Sequence, residues 1–89
     1  MTYVKLKVAD SDTHIVKICR NSNLRIKVIT GNARLKLFKE CGSPADKVEP
    51  LFTPSIQPTS YCFNESIAEY HHFVIESGSV DSFIRYELS

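Results

Sequence analysis

Across residues 24–38 hydrophobic and polar positions alternate with period two. Leu24, Ile26 and Val28 are separated by Arg25 and Lys27, and Leu35 and Leu37 by Arg34 and Lys36. Such alternation marks strands with one buried face. Gly31-Asn32 supplies turn chemistry between the two runs, so the segment predicts a β-hairpin carrying its positive charge on one face. A loop of two or four residues pairs Val28 with Leu35 and Ile26 with Leu37, whereas a three-residue loop would set Val28 against Arg34. The favoured register places Lys27 opposite Lys36, a repulsion of up to about 1 kcal/mol that a neighbouring acidic strand would relieve.

The same pattern predicts strands over residues 2–8 and 14–20, with turns at 9–13 and 21–23, and Cys41-Gly42-Ser43-Pro44 closes this β-rich half. Residues 43–60 hold all four prolines, Pro44, Pro50, Pro54 and Pro58, at spacings that exclude a long helix or a central strand. This is a connecting loop in which Ser43, Pro44 and Asp46 suit one short helical turn, and Leu51, Phe52 and Ile56 are placed to pin it to the core. Tyr61-Cys62-Phe63 begins another strand. Residues 69–88 predict a second hairpin around 77–81, pairing Ile75 with Ile84 and Phe73 with Tyr86 on one face, and Val74 with Arg85 and His72 with Glu87 on the other. The fold predicted is a single all-β domain over residues 1–89. It is an antiparallel β-sandwich, jelly-roll-like, of six to eight strands with a Pro-rich crossover.

Composition agrees with a folded domain: 43% of the 89 residues are hydrophobic and 24% charged. The net charge of +1 conceals a split, because residues 1–40 carry nine Lys or Arg against three Asp or Glu, and residues 41–89 carry two against seven. Either the basic half meets a polyanion, or a sandwich interleaves strands of the two halves and the charges compensate internally. No stretch approaches the ~20 apolar residues that span a bilayer, so no membrane insertion is expected.

Three cysteines allow one disulfide and a free thiol, or three thiols. Cys41 and Cys62 bracket the Pro-rich segment, and a bridge closing that loop of about 20 residues would contribute roughly 3 kcal/mol. Asn64-Glu65-Ser66 fits the N-glycosylation triplet. His71 and His72 are adjacent on a predicted strand and so point to opposite faces, which prevents both from ligating one ion. Asp10-Ser11-Asp12 lacks the oxygens and the glycine of a calcium loop and reads as a turn. No phosphate loop, nucleophile elbow or Cys-x-x-Cys is present, and neither a catalytic residue nor a cofactor is expected. Lys5, Lys7, Lys17, Arg25, Lys27, Arg34 and Lys36 would form one continuous basic face if the first four strands were neighbours in one sheet. Tyr3 and Phe38 share its parity.

The strand order, with segments 12–18, 23–28, 33–38 and 70–76 and the terminal Arg85-Tyr86-Glu87-Leu88, resembles the bacterial pre-peptidase C-terminal domains. The resemblance implies a non-catalytic β-sandwich with an accessory role in secretion, substrate binding or positioning, in an extracellular setting. This chain departs from those domains in having only three glycines, three cysteines and a cationic segment at 24–38. The function expected is a non-catalytic binding domain for a protein or polysaccharide partner, engaged through a strand face, an edge or the 43–60 loop. The alternative is a small nucleic-acid-binding protein, of viral or phage kind, that uses the basic face.

Overall fold

The computed structural model describes residues 2–18, 23–39, 44–58 and 60–89. Their alternating segments become eight strands: β1 (Thr2–Leu6), β2 (Thr13–Lys17), β3 (Asn23–Thr30), β4 (Ala33–Phe38), β5 (Lys47–Val48), β6 (Phe63–Ser66), β7 (His72–Ser77) and β8 (Ser82–Leu88). The inward positions of the pattern are the buried ones. Leu24, Ile26 and Val28 of β3, Leu35 and Leu37 of β4, Phe73 and Ile75 of β7, and Ile84 and Tyr86 of β8 join Leu6, Ala33, Phe63 and Ile67 in one core. Each of the larger side chains contributes ~1.5–3 kcal/mol by leaving water.

This core lies between two antiparallel sheets, of order β1-β8-β3-β6 and β2-β7-β4-β5. Among these strands the chain changes sheet at every connection except β4 to β5. Those two strand orders are the jelly roll, a sandwich of two Greek keys. The eight-stranded antiparallel sandwich expected from the sequence is the fold.

Neither predicted hairpin forms. β3 and β4 belong to different sheets, so Val28 lies opposite Ile84 rather than Leu35, and Lys27 opposite Arg85 rather than Lys36. β7 and β8 are likewise separated: Ile75 faces His14 and Leu35 in its own sheet, and Ile84 faces Val4 and Val28 in the other. A period of two dictates which side chains point inward. It is satisfied equally by two strands side by side and by two strands facing each other across a core, and each predicted hairpin is such a facing pair.

The turns of these arches interlock at one end of the sandwich. Gly31 has a φ of 78°, and a Cβ there would meet the Asp81 carbonyl oxygen at 2.1 Å, so only glycine fits. Next to it, the Asn32 side chain accepts the Ser79 N–H at 2.9 Å and donates to Ser79 Oγ at 3.0 Å. The Asn32 backbone is satisfied as well: its N–H donates to Ser82 Oγ at 3.1 Å and its carbonyl accepts from Gly78 N at 3.0 Å and from the Ser82 hydroxyl. Asp81 Oδ1 accepts the Val8 N–H at 2.9 Å, which ties in the β1–β2 connection.

The segment 43–60 departs from expectation in two respects. Ser43 lies outside the described residues, and from Pro44 onward there is no helical turn; Asp46 instead accepts the Lys39 N–H and donates its own to Leu37 O, which lines up β5 along β4. Phe52 does pin the loop, exchanging backbone hydrogen bonds with Ala33 at 2.7 and 3.1 Å and packing on the core. Leu51, partly exposed, packs beside Gly78 at the arch end, whereas Ile56 is fully exposed and does not pin the loop. Across the open side, Lys47 of β5 pairs with Glu49 at 2.7 Å and with Glu65 of β6 at 3.1 Å, linking the two sheets. Both carboxylates, Glu49 foremost, hold its ammonium pKa above the usual value.

Asn32→Ala should destabilise the domain by about 0.5–1.5 kcal/mol in urea denaturation, since it removes the two side-chain hydrogen bonds to Ser79 and keeps the backbone ones. Gly31→Ala should cost more than about 1 kcal/mol through its positive φ and the Asp81 contact, whereas Ile56→Ser should change stability by less than about 0.5 kcal/mol.

Candidate binding face

The outer face of the β1-β8-β3-β6 sheet is built by the odd-numbered residues of three strands. In register across it lie the row Tyr3, Arg85, Lys27 and the row Lys5, Phe83, Thr30, with Glu87, Arg25 and Asn64 in the next. Thr30 rather than Ile29 reaches Phe83 because the β3 register slips by one residue after Val28. Tyr3, 55% exposed, stacks on Phe83 with ring centroids 5.6 Å apart and 25° between planes. Tyr61, just before β6, lies under the Arg25 guanidinium at 5.7 Å and donates its hydroxyl hydrogen to Glu87 Oε1 at 3.3 Å. The Tyr3 phenol beside Arg85 raises the guanidinium pKa above its ordinary value. The Nε of both Arg25 and Arg85 is buried with no acceptor among the described residues.

Electrostatically the two outer faces differ. On β1-β8-β3-β6, Lys5, Arg25, Lys27 and Arg85 are set against Glu87 alone, and Lys27 and Arg85 are direct cross-strand neighbours of like charge. On β2-β7-β4-β5, Glu76 of β7 faces Arg34 in register and pairs with Lys36 at 3.4 Å. Lys36 lies in the row Ile15, Val74, Lys36, Val48, and the next row is Lys17, His72, Phe38, so this face sets three cations against Glu76.

The seven sequence-selected cations therefore do not share one face, because the first four strands are not neighbours in one sheet. Lys5, Arg25 and Lys27 lie on the first sheet, Lys17, Arg34 and Lys36 on the second, and Lys7 beyond the end of β1, where its N–H donates to Asp12 at 3.0 Å. Tyr3 stays with the first group, and Phe38 falls on the opposite sheet. Arg85, Phe83 and Tyr61 were missed by sequence reasoning. The outward parity of Phe83, Arg85 and Glu87 on β8 was the available signal, and assigning β8 to a hairpin with β7 hid their proximity to Tyr3 and Lys27.

Two hollows open at the arch end. One, of about 200 Å³, is lined by Lys5, Lys7, Thr30, Asp81 and Phe83 with Leu6 and Ser82, and continues the basic face. The other, of about 260 Å³, is lined by Val8, Ser11, Asp12, Thr13, Glu76, Ser77 and Gly78.

His71 and His72 do not diverge as alternation predicts. His71 lies in a bend before β7, and the two Nδ1 atoms approach to 3.0 Å, one donating to the other. The His72 ring stacks on Phe38 at 4.6 Å and 3°. Burial first, then the nearby His71 and Lys17, hold the His72 pKa below 6.5. Among the described residues, no three His, Cys, Asp or Glu side chains are grouped to hold a metal ion. Cys62 is a free thiol whose Sγ donates to Thr53 O at 3.1 Å, and its expected partner Cys41 lies outside the described residues. Asn64 is exposed on β6 at the rim of the first face, where its Oδ1 accepts from Asn23 at 3.2 Å.

No protein-family model matches this chain, and neither does any curated protein or solved structure. No helix among the described residues is long and apolar enough to cross a bilayer.

A histidine whose folded pKa is below its unfolded value stabilises the fold at pH above the unfolded pKa and loses that contribution as pH falls through the folded one. Urea unfolding followed from about pH 7.5 down to about 5 should therefore show stability falling below the ordinary histidine range. His72→Gln should flatten that fall.

Proposed function

We propose that this chain is a non-catalytic binding domain that recognises a polysaccharide or protein partner across the outer face of the β1-β8-β3-β6 sheet. One observation carries the reading: the row Tyr3, Arg85, Lys27, with Phe83 stacked on Tyr3 and Arg25 over Tyr61, interleaves aromatic rings and cations on an open four-strand surface. Strands about 4.8 Å apart make that surface roughly 15 Å wide, and side chains anchored on paired strands are held at fixed spacing. Aromatic and arginine side chains are those that dominate binding energy at recognition surfaces. Both hollows are smaller than the about 300 Å³ at which enclosed small-molecule sites begin, which suits contact with a chain or a surface. Jelly rolls serve as lectin and capsid domains, an analogy of fold alone. The accessory role implied by the resemblance to pre-peptidase C-terminal domains points the same way.

The same interleaving supports a second reading, single-stranded nucleic acid, whose bases stack on aromatic rings while cations follow the backbone.

Backbone amide chemical shifts, recorded while a panel of neutral and acidic polysaccharides is titrated, test the proposal. Perturbations should cluster on Tyr3, Lys27, Phe83 and Arg85, and the Tyr3→Ala/Phe83→Ala variant should lose at least about 2 kcal/mol of binding while staying folded. The bound polysaccharide should gain no new reducing ends. Perturbations confined to the β2-β7-β4-β5 face would overturn the assignment of the surface.

A further inference from the structure

We infer that the partner of this face is an acidic polysaccharide, a chain bearing both hydroxyls and carboxylate or sulfate groups. The inference rests on the binding face proposed above and names its ligand class. Lys27 and Arg85 are cross-strand neighbours, with Tyr3 completing their row and no carboxylate in it. Like charges so placed repel each other, and an anionic group seated between strands about 4.8 Å apart reaches both and reverses the sign of that interaction. Lys5 and Arg25 extend the positive potential to the rows on either side. The hollow beside Phe83 adds Lys7 at the end of the face.

Charge alone does not choose among polyanions. Two further features do. Glu87 lies in the face between the Tyr61 hydroxyl and Arg25. An ionised carboxylate only accepts hydrogen bonds, so it suits a ligand rich in hydroxyl donors, which a phosphodiester backbone of DNA lacks. Tyr3 and Phe83, stacked at 5.6 Å, gather their apolar ring surface beside the cations, where the C–H face of a sugar ring can pack. The ligand that satisfies the cations, the carboxylate and the aromatic pair together carries anions, hydroxyls and apolar ring faces on one chain.

The experiment is calorimetric titration of the intact chain with polygalacturonate, with dextran as a neutral glycan and oligothymidylate as a nucleic acid. Polygalacturonate should bind most tightly, and its affinity should fall about tenfold or more between about 50 and 200 mM salt, as counterion release requires. Lys27→Gln/Arg85→Gln should weaken it by about tenfold and reduce the salt dependence, while Arg34→Gln on the opposite sheet should leave it unchanged. Tighter binding of oligothymidylate would overturn the inference in favour of nucleic acid. Salt-insensitive binding of dextran lost in Tyr3→Ala/Phe83→Ala would overturn it while leaving the binding face intact. Equal binding by wild type and by Lys27→Gln/Arg85→Gln would overturn both the ligand class and the face.

Discussion

The jelly roll depends on the lock between the Gly31-Asn32 turn and the turn from Gly78 to Ser82. Ser82 is the one polar residue buried among those described, and its hydroxyl and the Asn32 groups satisfy each other across the gap between sheets. A strand that leaves its sheet abandons a ladder of backbone hydrogen bonds, so the turn that carries it across must find other partners for its backbone groups. Asn32 meets that need by completing both turns at once, and Asp81 brings the β1–β2 connection to the same point through Val8. The inward faces of β3, β4, β7 and β8 can then oppose each other and bury Leu35, Ile75, Ile84 and Val28 in a shared layer.

This topology also redistributes charge. The basic first half of the chain and the acidic second half are interleaved strand by strand, but unevenly. β7 carries Glu76 between Arg34 and Lys36, which offsets part of the charge of one outer face, where Lys17 stands apart from it. β8 carries Arg85 where β7 carries a carboxylate, so its partner Lys27 is left next to a second cation. Internal compensation is therefore partial on both sides, and the larger excess of cations lies on the β1-β8-β3-β6 face. The more basic side also carries the stacked Tyr3 and Phe83 rings.

Much of the fold was legible in the sequence. Alternation correctly assigned the inward residues of β3, β4, β7 and β8, and the prolines correctly kept the 43–60 segment out of long regular structure. Pairing was not legible, because Val28 and Leu35 are equally buried whether they share a sheet or face each other. The binding face suffered from the same ambiguity. Lys5, Arg25 and Lys27 were identified from strand parity alone, but Arg85 and Phe83 join them only through pairing of β8 with β1 and β3, strands distant in sequence. The meeting of His71 with His72 was hidden for a local reason: alternation applies only inside a strand, and His71 lies just outside one.

The strand order has a consequence for biosynthesis. β8 occupies an interior position in one sheet and β7 in the other, and of these eight strands they are the last two to leave the ribosome. Until residues 72–88 emerge, β1 has no neighbour, β2 has none, and β3 and β4 are paired only with the short β6 and β5. The nascent chain thus exposes alternating apolar strands that cannot be closed by local pairing, a state in which pairing with another chain competes with folding. Closure then requires contacts distant in sequence to form together, which places this small domain among the slower folders of its size, in the millisecond-to-second range.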